Sequence, residues 1–148
     1  MHVREASLGD LDVIVEFVAE EAREVEGRTQ DRKTLEQGVG AALKDKSIAR
    51  YWLLVDELEI ACGCTSVIKE WSDWNAGFYW WIQSMYIAPE HRGKGYLDML
   101  VDCFAKAAQE ADCLELRLYV HNNNRAAIRA YEKVGFSNSQ YLIMSKPV

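Results

Sequence analysis

From Phe78 to Ile87 the chain is apolar at nearly every position, and Pro89 closes the run. A strand with one wet face alternates apolar and polar residues, so an unbroken run suits a strand covered on both faces, in the middle of a sheet. Gly93 and Gly95 follow as a flexible turn, and Leu97, Leu100, Val101, Phe104 and Ala108 then recur at helical spacing to about Ala111. Central strand, glycine turn and helix in this order constrain the fold more tightly than any other feature of the sequence.

The flanking segments fill in an α/β order. Val3 to Ala6 is a short extended opening, and Ser7 with Asp10 three residues on is a helix-start pair. Leu11, Ile14, Val15, Val18, Ala22 and Val25 then predict an amphipathic helix ending near Gly27, with Glu16, Glu20, Glu21 and Glu24 on the opposite side. A second helix is expected from Asp31 to about Lys46, weakened by Gly38 and Gly40. Tyr51–Val55 and Ile60–Ile68 read as an antiparallel hairpin around Asp56-Glu57, after which Glu70 to Gly77 breaks the pattern.

Beyond the central helix, Leu114, Leu116, Leu118 and Val120 keep a period of two, and Asn124 to Val134 reads as another helix closed by Gly135. Phe136 and Tyr141 to Ser145 supply one or two last strands. The expectation is one domain over residues 1–148, a mixed sheet of about six or seven strands flanked by about four helices, with no linker or repeat.

Composition narrows the partners. A net charge of −6 offers nucleic-acid phosphates no broad basic stripe, although it suits cationic acceptors. No apolar run approaches the roughly 20 residues of a membrane helix, and Met1 to Asp10 lacks a signal-peptide pattern, so a cytoplasmic location is expected. Cys62, Cys64, Cys103 and Cys113 lack the paired spacing of a zinc site, so free thiols and no metal are expected.

Arg92-Gly93-Lys94-Gly95-Tyr96-Leu97 sits between strand and helix, where free N–H groups and the positive helix end point outward. Glycines let the backbone approach a pyrophosphate, and Arg92 and Lys94 add positive charge; an ordinary helix start is the alternative. The stretch from Tyr86 to Gly95 resembles the part of the GNAT acetyltransferase superfamily in which a strand runs into an R/Q-x-x-G-x-G/A loop. Downstream, Leu118, Val120, Asn124, Ala127, Tyr131, Gly135 and Phe136 fill the spaced positions of the family's second signature.

The resemblance covers about residues 78 to 136 and implies acetyl-coenzyme A as co-substrate and an amine, small-molecule or peptide, as acceptor. It implies that Arg92, Gly93, Lys94, Gly95, Tyr96 and Leu97 cradle the pyrophosphate. It implies that Met85 and Ile87 offer backbone groups to the pantetheine arm. Asn124 either caps its helix or touches that arm. Tyr131, a phenol with an ordinary pKa of about 10, is the implied general acid for the departing thiolate; a packed tyrosine that only hydrogen-bonds the sulfur is the alternative.

Two positions depart from the pattern. Leu97 stands where the loop usually ends in Gly or Ala, and is expected to face the core. Gln83 stands where many relatives carry a glutamate that deprotonates the acceptor, and an amide cannot titrate. Glu70, Asp73 and His121 are candidates for that task, each with a surface role as its alternative. Trp71 and Trp74, with Gln83, are candidate acceptor contacts, core packing or a homodimer contact being the other uses of the aromatic cluster. The function this reading supports is direct acetyl transfer from acetyl-coenzyme A to a small-molecule amine. A non-catalytic acyl-coenzyme A sensor, an enzyme for protein or peptide amines and an enzyme for longer acyl donors are the alternatives.

Overall fold

The computed structural model describes residues 1–148. Strand β1 (His2–Glu5) leads through a 3-10 turn at Leu8–Asp10 into helix α1 (Leu11–Glu26), followed by α2 (Arg32–Lys44). Strands β2 (Arg50–Val55), β3 (Ala61–Ser72) and β4 (Gly77–Ile87) come next, then α3 (Tyr96–Glu110), β5 (Glu115–Leu118) and α4 (Arg125–Lys133). The five strands lie in sequence order in one sheet, β1 to β4 antiparallel and β5 parallel to β4.

Local chemistry sets the element ends. The amide and hydroxyl of Ser7 both donate to Asp10 Oδ2, at 2.8 and 3.0 Å, the expected capping pair. Arg4 adds two further bonds to the same carboxylate, tying β1 to the start of α1. Gly27 ends α1 at φ +64°, and the Thr34 amide donates to Asp31 at the head of α2.

The sheet is covered on both faces. Ile14 and Val15 of α1, with Val39 and Ala42 of α2, pack on Leu53, Val55, Cys64 and Tyr86. On the other face Val101, Phe104 and Ala108 of α3 pack on Trp52, Val67, Trp80 and Ile82. Successive β2 residues thus feed opposite cores, which is why its residues 51–55 are all buried.

Strand β4 does this differently from the expectation. Its burial alternates, with Phe78 left 40% exposed, and the alternation changes sides once. Ser66 pairs with Ser84 but Val67 pairs with Ile82, so Gln83 is an extra residue, a β-bulge. Before it Trp80 and Ile82 face α3; after it Tyr86 faces α1.

Three expectations need correction. Glu70, Trp71 and Ser72 continue β3 by pairing with β4, and only residues 73–76 form the turn. Strand β5 is shorter than Leu114–Val120, because β4 pairs with it only from Tyr79 to Ile82 and then diverges. The sheet has five strands rather than six or seven, since residues 137–148 pair with nothing. The four helices fall where the periodicity placed them.

Candidate active site

Where β4 and β5 diverge, a cleft opens between the two strands, flanked by α1, α4 and the turn before α3. It holds two contiguous cavities of about 950 and 470 Å³. Glu21, Val25, Met85, His121, Asn124, Ala127 and Tyr131 line both and mark the junction.

The larger cavity begins at the glycine turn. Gly93 and Gly95 have φ of +72° and +80°, the left-handed region, and Gly95 caps α3 without any side-chain acceptor nearby. As a result the backbone N–H groups of Gly93, Lys94, Gly95, Tyr96 and Leu97 donate to no protein group, and they stand at the positive end of a four-turn helix. Such a row of free donors is an anion site. Leu97 packs into the α3 core as expected.

Charges around the turn divide unevenly. Arg92 lies along the cavity, its guanidinium donating to the Ile87 carbonyl at 2.7 Å and to both Glu24 oxygens at 2.9 Å. Lys94 does not reach the cavity wall. Arg129 and Lys133, one helical turn apart on α4, do line it and make no ion pair within the protein. Sequence reasoning missed this pair; their i,i+4 spacing, flanking Tyr131 on the signature helix, was the available signal.

The open edge of β4 supplies Met85 and Ile87, as the resemblance implied, but both groups meet side chains. Met85 N–H donates to Glu21 Oε1 at 3.0 Å, and the Ile87 carbonyl accepts from Arg92. The Asn124 side chain accepts from the Ala127 amide at 3.1 Å, the capping role, while also lining both cavities.

Tyr131 sits at the junction, with Phe136 edge-on at 5.8 Å. Burial foremost, then the charge of Glu21, holds its phenol proton more tightly than usual. Glu21 was read from the sequence only as part of the polar side of α1. Burial pushes its carboxyl above the ordinary carboxylate range, Glu24 adds to that, and the Met85 N–H works against it. Its signal in the sequence was one of position: α1 turns this glutamate, one residue before Ala22 of the apolar stripe, toward β4.

The other candidates divide. Gln83, the bulge residue, lines the smaller cavity with Glu26, Gln30 and Tyr119. His121 lines both cavities but uses Nδ1 to accept the Asn123 amide at 3.2 Å. Glu70 is held by the Trp81 indole at the far end of the β3–β4 hairpin, and neither it nor Asp73 lines either cavity. Trp74 is 86% exposed at that turn and Trp71 packs edge-on against Phe78, so neither is brought to the cleft. All four cysteines are free, and burial pushes the Cys64 thiol far from its ionised form. No cluster of three metal-ligating side chains is present, and no helix is long and apolar enough to cross a membrane.

A strand splayed from its parallel neighbour, a row of free amides and a half-buried tyrosine agree with a family match over residues 12–136: the chain belongs to the acetyltransferase (GNAT) family. Among solved structures, a possible acetyltransferase of Clostridium difficile 630 is 31% identical, with a TM-score of 0.91 over 99% of this chain and 97% of that one. Two more distant structures share the fold. The aminoglycoside antibiotic 6'-N-acetyltransferase AAC(6')-IG of Acinetobacter haemolyticus is 18% identical, with a TM-score of 0.79 over 100% and 99% of the two chains. The ribosomal-protein-alanine N-acetyltransferase of Brucella melitensis biovar Abortus 2308 is 20% identical, with a TM-score of 0.77 over 98% and 100%. No curated protein sequence matches.

Proposed function

We propose that the protein transfers the acetyl group of acetyl-coenzyme A to a small cationic amine by direct attack in a ternary complex. The observation that carries this reading is the junction at Glu21 and Tyr131, between a cavity headed by five free amides and a second, acidic cavity. The residues present fit coenzyme A. The Gly93–Leu97 amides suit its pyrophosphate, and Arg129 and Lys133 are cations with no other partner. Bound there, acetyl-coenzyme A supplies a thioester carbonyl open to attack, with a thiol as leaving group.

The protein's own groups then have distinct tasks. Glu21 receives a proton from the acceptor ammonium, the task that Gln83 cannot perform. Release of Met85 N–H by Glu21 leaves that amide to steady negative charge growing on the carbonyl oxygen. Tyr131 gives its phenol proton to the departing sulfur as the carbon–sulfur bond breaks and the carbon–nitrogen bond forms. The acceptor nitrogen gives up two protons. The first goes to Glu21 before attack and from there to solvent; the second, lost as the amide forms, restores the Tyr131 phenol that has protonated the sulfur, so atoms and charges balance over the turnover.

The smaller cavity, about 470 Å³, is of small-molecule size. It is lined by Glu21 and Glu26 with no lysine or arginine, which favours an amine that carries no carboxylate beside it. Release of free thiol from acetyl-coenzyme A over a panel of amines tests the reading. Turnover should favour diamines and aminosugars over α-amino acids; coenzyme A binding without turnover on any amine would overturn transfer in favour of a sensor.

A further inference from the structure

Three lysine or arginine side chains line the larger cavity, and two of them, Arg129 and Lys133, are free of any ion pair. Arg92 is the exception. It stands one residue before the five free amides, yet its guanidinium turns back along β4 and is held there by three groups. Nε donates to the Ile87 carbonyl at 2.7 Å, one terminal nitrogen donates to both Glu24 oxygens at 2.9 Å, and the guanidinium carbon lies 5.3 Å from the centre of the Tyr86 ring. Charge-assisted contacts of this kind are stronger than neutral ones, so the side chain has a definite seat.

Glu24 follows Glu21 by three residues, which puts both carboxylates on one face of α1. Glu21 holds the Met85 N–H at 3.0 Å, and Glu24 holds the side chain that occupies the Ile87 carbonyl. One face of α1 therefore satisfies the two β4 groups that an extended ligand arm would pair with. Glu21 has a task in proton transfer. Glu24 has none, and its effect is to turn a cation away from the anion site beside it.

We propose that Glu24 is a positioning residue acting through Arg92: it parks the guanidinium on the Ile87 carbonyl in the free protein and releases it to the coenzyme A pyrophosphate when that carbonyl takes a new donor. The proposal rests on the coenzyme A reading given above. Arg92 then serves twice, filling the β4 edge while the cleft is empty and neutralising phosphate charge when it is full. Each binding event breaks the Glu24 contact, so the cofactor is held less tightly than the free amides and the three cations would allow.

Titration calorimetry of coenzyme A against the wild type, Glu24→Gln, Arg92→Gln and the double variant tests this. Glu24 is exposed on α1 and glutamine suits a helix as well as glutamate, so the fold should stand. Glu24→Gln should bind coenzyme A about two- to fivefold more tightly, the span that a partly exposed ion pair can impose. The gain should vanish in the Arg92→Gln background. A gain of the same size there would mean that Glu24 merely repels phosphate, and the proposal is wrong. Weaker binding by Glu24→Gln would equally overturn it. S-Acetylpantetheine, which carries no phosphate, should also bind Glu24→Gln more tightly, because the Ile87 carbonyl is freed; a gain confined to the phosphate-bearing ligand sinks the idea. Coenzyme A that binds none of the four proteins removes the cofactor reading together with this one, whereas equal binding by wild type and Glu24→Gln removes this one alone.

Discussion

The carboxylate of Glu21 accepts the backbone N–H of Met85 at 3.0 Å, joining the last turns of α1 to the open edge of β4. In the proposed mechanism this one contact joins acceptor deprotonation by Glu21 to support of the carbonyl oxygen by the Met85 amide. If Glu21 is the proton acceptor, Glu21→Gln should lower kcat by about 100-fold or more, within the range of general-base contributions. Coenzyme A affinity should be unchanged. Because the carboxyl titrates above its ordinary range, wild-type rate should climb as pH rises through that elevated pKa, and the climb should vanish in the variant. A retained climb with unchanged kcat would remove Glu21 from the mechanism.

As the proposed general acid Tyr131 would act only while protonated, and burial with Glu21 raises its pKa. The rate should therefore hold through the ordinary tyrosine range near 10 and fall only beyond it. Tyr131→Phe should lower kcat by about 100-fold, while equilibrium binding of coenzyme A changes little. Thiol release recorded against pH for both proteins measures this directly.

The Gly93–Leu97 amides depend on a left-handed backbone at Gly95. Gly95→Val should cost about 1–2 kcal/mol of local strain and weaken coenzyme A binding by roughly tenfold or more. Nothing lies within 4 Å of an added Cβ there, so the loss would come from backbone conformation and not from crowding. Arg129→Gln and Lys133→Gln should each weaken binding by about two- to fivefold, with kcat kept, and the difference should shrink as salt rises. Titration calorimetry at two ionic strengths checks both.

Away from the cleft, Arg4 foremost, with help from Ser7, lowers the Asp10 carboxyl to about 2. Its folded pKa is thus below its unfolded value near 3.9, so the stability it adds is present above about pH 4 and is lost as pH falls toward 2. Asp10→Ala should cost about 1–2 kcal/mol at pH 7, cap and ion pair together, and much less near pH 2. Urea midpoints at both pH values measure the gap.

The sequence revealed those parts of the fold that short-range rules govern. Apolar spacing located α1 to α4, Ser7 with Asp10 marked a helix start, and paired glycines marked the turn before α3. What it hid depends on long-range approach. Period-two reading could not see that Gln83 drops out of register, because a bulge is defined by the partner strand. Glu21 looked like one more solvated glutamate, since only the packing of α1 on β4 brings it to Met85. Trp71 and Trp74 looked like pocket residues because β3 was expected to stop before them, whereas its continuation carries them to the far end of the hairpin. Tyr141 to Ser145 reads as a strand by composition, yet it pairs with no strand of the sheet, because pairing depends on a neighbour that local pattern does not reveal.

The extra residue at Gln83 acts as a phase shift in a two-beat pattern. Before it the even-numbered Trp80 and Ile82 turn to the α3 core; after it the even-numbered Tyr86 turns to α1, and Met85 takes over the α3 side. Deleting Gln83 would not merely shorten a strand; it would exchange inside for outside along one arm, turning Tyr86 away from Phe17, 5.4 Å away across the ring centroids, and Met85 N–H away from Glu21. Folding into the correct two cores and pointing the right amide into the cleft are therefore a single event, and a chain that fails at one fails at the other.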